Sequence, residues 1–161
     1  MIPDRGAEAS RSWCVRSPCG RYRWLLARRW DRHAPWMLVV GLNPSTADAL
    51  RDDPTTRRCI ALAQRTGHGG LLLANLFGLR ATRPADLHAA RHPTGPANVL
   101  WRDRAAAVAS TRVAAWGNHG RGPQADALLE DGAWWVLGWT ALGAPRHPLY
   151  VRGDTPLQRV R

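Results

Sequence analysis

The feature that most constrains the fold is a continuous apolar run, Trp36 to Leu42, that ends in a polar loop. A strand that is apolar at every position is covered on both faces, which is typical of parallel sheets. Further strands are predicted at 70–76, 112–116 and 134–139. Helices are predicted at 53–67, 84–90, 97–110 and 123–130. Strands that alternate with helices predict a parallel sheet with right-handed crossovers.

The predicted fold class is therefore α/β, a three-layer sandwich around a four-stranded parallel sheet. One extra strand is predicted at 21–30, where alternating apolar residues indicate a half-buried strand. Residues 1–20 are rich in Arg and are expected to form a flexible basic segment. Residues 21–161 would then form a single domain, which a chain of 161 residues is long enough to build.

The chain is strongly basic, with 23 basic residues, all Arg, against 12 acidic ones and a formal net charge of +11. This excess makes phosphate-bearing partners plausible, but charge alone does not distinguish nucleic-acid binding from simple solubility. No apolar stretch is long enough to cross a membrane, and no secretory signal is evident. We therefore expect a cytoplasmic protein without membrane contact, and a monomer.

The cysteines predict neither disulfides nor a metal site. The chain contains three of them, Cys14, Cys19 and Cys59, and an odd number in a cytosolic protein indicates reduced thiols. A closed metal site or an iron–sulfur cluster needs about four ligands at tight spacing. We expect no metal, no iron–sulfur cluster and no other cofactor.

Ligands of parallel sheets bind outside the carboxyl ends of the strands, and here those ends lead into segments with polar side chains. Asn43 and Ser45 follow the first strand and could orient a water or bind an anion, or serve only a turn. Asn75 ends an apolar strand, and its amide suits the edge of a nucleobase or a backbone cap. Trp116 precedes a turn glycine and suits a core position. His147, in a proline-stiffened loop, could donate to a developing anion or lie on the surface.

Together these segments resemble the uracil-DNA glycosylase superfamily, through an Asn-Pro loop, a strand that ends in Asn and a His-Pro loop. The resemblance implies that fold, a nucleic acid (DNA first) as partner, and hydrolysis of the N-glycosidic bond of a flipped base. The chain from about Pro18 also resembles the bacterial domain-of-unknown-function family numbered 1643, which implies no activity. The segments that carry this second resemblance are 19–23, 41–48, 52–55, 75–82 and 145–150.

The glycosylase resemblance implies roles for individual residues. Asn43 would position the attacking water, and His147 would stabilise the departing base. The base would be bound by Asn75, Phe77, Ser45 and Trp116. Pro44, Arg57, Arg80 and Arg146 would face phosphates, and Leu149 would fill the space that the flipped nucleotide leaves.

A catalytic carboxylate is missing from the expected position, because Asn43 stands where the most active branch of the superfamily has Asp, and an amide cannot act as a base. Asp48 and Asp53 follow closely. Asp53 could instead cap a helix and Asp48 could hold the loop, yet either could supply the carboxylate, and we favour Asp48. Three functions stay open: a glycosylase, a recognition module that has lost the chemistry, and a hydrolase of free nucleosides or nucleotides with Asp48 as base.

Overall fold

The computed structural model describes residues 11–130 and 133–160 and shows an α/β protein, as the sequence predicts. Its strands are β1 (Arg11–Arg16), β2 (Arg23–Arg29), β3 (Trp36–Gly41), β4 (Gly70–Asn75), β5 (Ala109–Ala114), β6 (Trp134–Val136) and β7 (Gln158–Arg159). Its helices are α1 (Pro54–Arg65), α2 (Pro84–His88), α3 (Asn98–Val108) and α4 (Pro123–Glu130), with 3₁₀ turns at Asn118–Gly120 and Pro148–Tyr150.

The strands form one mixed sheet in the order β1-β2-β4-β3-β5-β6-β7. Strand β3 pairs in parallel with β4 and β5, and β5 pairs in parallel with β6. Strands β1 and β2 add to one side in antiparallel pairing, and β7 adds to the other. The carboxyl ends of β3, β4 and β5 therefore lie together at one edge of the sheet.

Helices cover both faces of the sheet. In β3, Leu38 and Val40 belong to the core cluster that includes residues of α3 and α4. The alternate residues Met37 and Val39 belong to a second cluster, which includes Cys59 of α1. This alternation explains why β3 is apolar at nearly every position, since each face packs against its own helical layer.

The sheet has seven strands where the sequence analysis predicted five. Strand β1 lies within the segment 1–20 that we expected to be flexible, and residues 1–10 of that segment lie outside the described residues. It pairs with β2 because Trp13 and Val15 alternate with polar residues and pack against the core. Strand β7 is a two-residue pairing with β6 in a tail that looked irregular.

Strand β2 is also more buried than predicted. Leu25 and Ala27 belong to the core cluster on the α3 and α4 side and Leu26 belongs to the cluster on the α1 side, so both faces of β2 are covered, and all three residues are 1% exposed or less. The expectation of a half-buried strand was wrong because each face of β2 packs in a core cluster, while β1 pairs along its outer edge. None of the helices within 11–130 and 133–160 is long and apolar enough to cross a membrane.

Candidate functional site

A cavity of about 500 Å³ opens at the carboxyl ends of β3, β4 and β5, on the face of the sheet that α1 covers. Its apolar lining includes Val39, Leu73, Ala115 and the buried Cys59, whose pKa burial raises to about 12. That thiol is therefore protonated and unreactive at neutral pH. The remaining lining is mostly polar and comes from the loops that follow the strands and from the start of α1.

The structure brings six of the predicted site residues to this cavity. They are Asn43, Ser45, Asn75, Trp116, Arg146 and His147. They come from four separate segments, which lie together because parallel strands end at the same edge of the sheet. The other predicted residues lie elsewhere, for reasons given below.

Asn75 is the most buried polar side chain of the cavity after Arg23. It ends β4, is 3% exposed, and its side-chain nitrogen Nδ2 has no hydrogen-bond partner among the described residues. Its oxygen Oδ1 lies against Gly41, where an added Cβ would come within 2.9 Å of it. A buried amide nitrogen without an acceptor is costly, so this group is available for a ligand.

Asn43 lines the cavity, and the backbone engages its side-chain nitrogen. Its Nδ2 donates to the carbonyl oxygens of Ala81 (2.7 Å) and Pro44 (3.2 Å). The amide therefore ties the loop after β3 to the segment after β4. Its Oδ1 accepts no hydrogen bond from the described residues and is the part of the side chain left for a water or ligand.

His147 is held as a hydrogen-bond donor. Its Nδ1 accepts a hydrogen bond from the backbone N–H of Leu149 (3.3 Å), which assigns the proton of the neutral ring to Nε2. Burial lowers the pKa of His147, and the carboxylate of Asp53 only partly opposes this. The ring is therefore neutral near pH 7, with Nε2–H as its donor.

Among the described residues, the carboxylate that lines the cavity is Asp53. The expectation that Asp48 would supply it was wrong. Asp48 does not line the cavity: its Oδ1 accepts from the backbone N–H groups of Leu50 (2.8 Å) and Arg51 (2.9 Å), which lower its pKa. It holds the loop. Asp53 does line the cavity. It also caps α1, since its Oδ1 accepts from the N–H of Thr56 (2.7 Å), and this leaves Oδ2 without a partner among the described residues.

The other predicted contacts lie outside the cavity. Phe77 packs against the core cluster on the α3 and α4 side, so it does not stack on a cavity ligand. Pro44 is buried, and its carbonyl accepts from the N–H of Ala81. Arg57 donates to the carbonyl of Asp52, and Leu149 is 44% exposed near the mouth of the cavity without lining it.

Arg80 lines a shallow groove of about 550 Å³ beside the cavity. Further polar side chains of this groove are Arg21, Ser45, Thr46, Thr82 and Asp86. The groove and the cavity share Ser45, Ala81 and Thr82, so they adjoin each other. An extended ligand could therefore occupy both.

Sequence reasoning missed Arg23, which lines the cavity and is only 2% exposed. Its Nη1 donates to the carbonyl of Ala47 (2.7 Å), while its Nε has no partner among the described residues. Burial lowers the pKa of Arg23, although a guanidinium stays charged in a protein.

A β-bulge accounts for the position of Arg23. Val15 of β1 pairs with Leu25 and Arg16 pairs with Arg23, so Trp24 has no partner in β1. Uninterrupted alternation would place residue 23 on the same face as Leu25, away from α1. The bulge brings it to the cavity face, and bulges commonly re-aim a side chain in this way.

The fold and the cavity define a class: an α/β protein that presents a polar cavity at the carboxyl ends of its parallel strands, where such proteins bind ligands. Within that class, the chain belongs to the family described as "Protein of unknown function (DUF1643)", which matches residues 23–149. The match runs from Arg23 past His147 and so includes nearly the whole cavity lining. No curated protein and no solved structure matches the chain.

Proposed function

We propose that the cavity binds the base of a nucleotide and that the protein hydrolyses the N-glycosidic bond, in the manner of the uracil-DNA glycosylase superfamily that the sequence resembles. The observation that carries this proposal is the convergence of Asn75, His147 and Asp53 on one cavity. The first is a base-reading amide, the second a donor for the leaving group and the third a carboxylate. The parallel pairing of β4, β3, β5 and β6 is also compatible with that fold.

Base recognition uses the free amide of Asn75. Nδ2 can donate to a ring carbonyl or nitrogen, and Oδ1 can accept from a ring N–H, which is the pairing that a nucleobase edge offers. The apolar side chains of Val39 and Leu73 and the ring of Trp116 line the same space and can contact the faces of the heterocycle. A volume of about 500 Å³ suits a ligand of nucleoside size.

The chemistry divides between two residues. The bond between C1′ of the sugar and the base nitrogen breaks, and its electron pair leaves with the base. His147 stabilises that charge by donating from Nε2, a contribution of about 3 kcal/mol for a preorganised donor. Water then adds to C1′, and its proton passes to the carboxylate of Asp53, which takes the role that Asn43 cannot fill.

A nucleic-acid strand is the first candidate substrate. The groove beside the cavity presents Arg21 and Arg80 beside the hydroxyls of Thr46 and Thr82, and its one carboxylate among the described residues, Asp86, is paired with Arg83. Guanidinium and hydroxyl groups of this kind bind phosphate oxygens and fix the register of a strand. The formal net charge of +11 supports the same class of partner.

A recognition module without catalysis is the second candidate. The observation that favours it is the engagement of Asn43 by the carbonyls of Pro44 and Ala81, which makes this side chain a structural tie. In such a protein the cavity would bind a base while the glycosidic bond stayed intact.

The test is direct. Stoichiometric pure protein is incubated with single- and double-stranded oligonucleotides that carry uracil, hypoxanthine, xanthine or alkylated bases, and with the matching mononucleotides. Released base is measured by chromatography and abasic sites by alkaline cleavage. We expect free base from at least one substrate. Base-dependent binding without product, steeply weakened by salt, would favour the recognition module, and release from no substrate would refute the hydrolase.

A further inference from the structure

Arg23 is a buried cation without an anionic partner. It forms no salt bridge with any carboxylate of the described residues, and its one hydrogen bond is to a neutral carbonyl. Cys14 and Asp53 influence it electrostatically, but neither side chain forms a hydrogen bond or ion pair with it among the described residues. An unpaired charge taken out of water is expensive, so a protein keeps one where something other than stability requires it.

The surroundings of Arg23 favour an anion. Two guanidinium side chains, Arg23 and Arg146, line the cavity, against one carboxylate, Asp53, among the described residues. The N-terminus of the twelve-residue helix α1 also faces this space, through Asp53 and Thr55. A helix N-terminus carries partial positive charge, which the capping carboxylate of Asp53 partly offsets.

We infer that Arg23 binds a phosphate group of the nucleotide whose base occupies the cavity. This inference rests on the proposed function and names its substrate class as a phosphorylated ligand, since a bare nucleoside would leave the guanidinium unpaired. Arg is suited to this role because its planar N–H groups match phosphate oxygens. The phosphate is either the terminal group of a free mononucleotide or an internucleotide phosphate of a strand.

The first test uses inorganic phosphate as the probe. Phosphate in excess should raise the Tm of the wild-type protein by about 3 °C or more over chloride at equal ionic strength. The Arg23→Met variant, which keeps side-chain volume without charge, should lose this shift. The matched control Arg65→Gln removes one exposed charge at the far end of α1 and should keep it. Equal shifts in Arg23→Met and the wild type would overturn the inference.

The second test separates the two sources of phosphate. Affinities for deoxyuridine, deoxyuridine monophosphate and a single-stranded oligonucleotide with one central uracil are compared by calorimetry. A terminal-phosphate site binds the monophosphate about 10- to 100-fold more tightly than the nucleoside. An internucleotide site gives this gain only to the oligonucleotide. In either case Arg23→Met should abolish the gain, and a gain that survives the substitution would refute the role of Arg23.

Stability provides an independent readout. Arg23→Met should unfold at the same denaturant concentration as the wild type or a higher one, because it removes an unpaired buried charge. Should the variant fail to fold, Arg23→Lys, which keeps the charge but loses the planar group, replaces it in both tests and should show a reduced phosphate gain. A wild type that prefers neither phosphorylated ligand refutes the inference without any variant.

The two proposals fail separately. Phosphate preference without base release would retain the anion site and refute the hydrolase. Base release without dependence on Arg23 would retain the hydrolase and refute the anion site.

Discussion

The two ends of β2 each carry a buried arginine, and the two side chains are satisfied differently. Arg28 is 6% exposed, and its guanidinium contacts the carboxylate of Asp52 at 2.7 Å and 2.9 Å. It also donates to the carbonyls of Ala27 and Asp48. Arg23, at the other end, is buried more deeply yet donates only to the carbonyl of Ala47.

This difference in hydrogen bonding distinguishes a residue that stabilises the fold from one whose side chain has unused donors for a ligand. Arg28 anchors the loop that leads to α1, and its charge is neutralised where it lies. Arg23 keeps hydrogen-bonding capacity at the cavity. A related contrast recurs within three other residue types, in which one member bonds the backbone or hydroxyls around it and the other lines the cavity. The pairs, with the structural member first, are Asp48 and Asp53, Asn98 and Asn75, and His68 and His147.

The aspartate pair should show the largest effect. Asp53→Asn should lower base release about 10³-fold, because it removes the carboxylate that accepts the proton of water. Folding should be preserved, since Asn is as good a helix N-cap as Asp. Released base is measured in single-turnover reactions, with circular dichroism to verify the fold.

The control for this substitution is Asp48→Asn. It changes a loop carboxylate outside the cavity and should leave base release within about twofold of the wild type. A greater loss in Asp48→Asn than in Asp53→Asn would reverse the assignment of the catalytic carboxylate.

The asparagine pair should give a smaller effect, divided between stability and binding. Asn98 is fully buried, and its Nδ2 donates to the carbonyls of Asn75 and Leu76, both at 3.0 Å. Asn98→Leu should therefore lower the free energy of unfolding by about 2 kcal/mol. Asn75→Leu removes a nitrogen that bonds nothing, so it should change that free energy by less than about 1 kcal/mol while it weakens base binding about tenfold.

Urea denaturation measures the stability of both asparagine variants, and calorimetry with the preferred nucleotide measures binding. If Asn75→Leu had as low a free energy of unfolding as Asn98→Leu and bound the nucleotide as tightly as the wild type, Asn75 would be a structural residue and its proposed role in binding would be refuted.

The histidine pair should give the smallest effect on stability, and the sign of that effect follows from burial. Burial lowers the folded-state pKa of both His68 and His147 below the ordinary 6.5. The unfolded chain then binds more protons than the folded one just below pH 6.5. The stabilising contribution is therefore complete above pH 6.5 and is lost as the pH falls through the folded pKa values.

Thermal unfolding between pH 5 and pH 8 measures this loss. His68→Gln and His147→Gln should each flatten part of the dependence, but only His147→Gln should also lower base release. His68 bonds the hydroxyls of Thr66 and Thr111, away from the cavity. A pH dependence unchanged in both variants would show that neither ring titrates in this way.

The sequence predicted well what depends on strand order alone. Asn43, Asn75 and His147 follow different segments, and their approach to one cavity requires only that parallel strands end at one edge. It did not predict which carboxylate joins them. Asp53 has the sequence features of a helix cap and does act as one, so its second role is visible only where α1 meets the cavity.

Two further features depend on tertiary pairing and were not predictable. Phe77 follows Asn75 by two residues, and continued alternation would place both on one face. The chain leaves the strand after Asn75, however, and Phe77 packs with the opposite core cluster. Arg23 was missed for the complementary reason, because the bulge at Trp24 breaks an alternation that the sequence gives no cause to interrupt.

The contact between Gly41 and Asn75 couples two positions that lie 34 residues apart in the chain but opposite each other in β3 and β4. Even the methyl group of alanine at position 41 would push the amide of Asn75 aside, at the tip of a short side chain that can rotate, so the sheet would survive the change. We therefore expect the residues at these two positions to covary among relatives. In a relative with a larger residue than glycine at position 41, an asparagine at position 75 could not keep the amide orientation seen here.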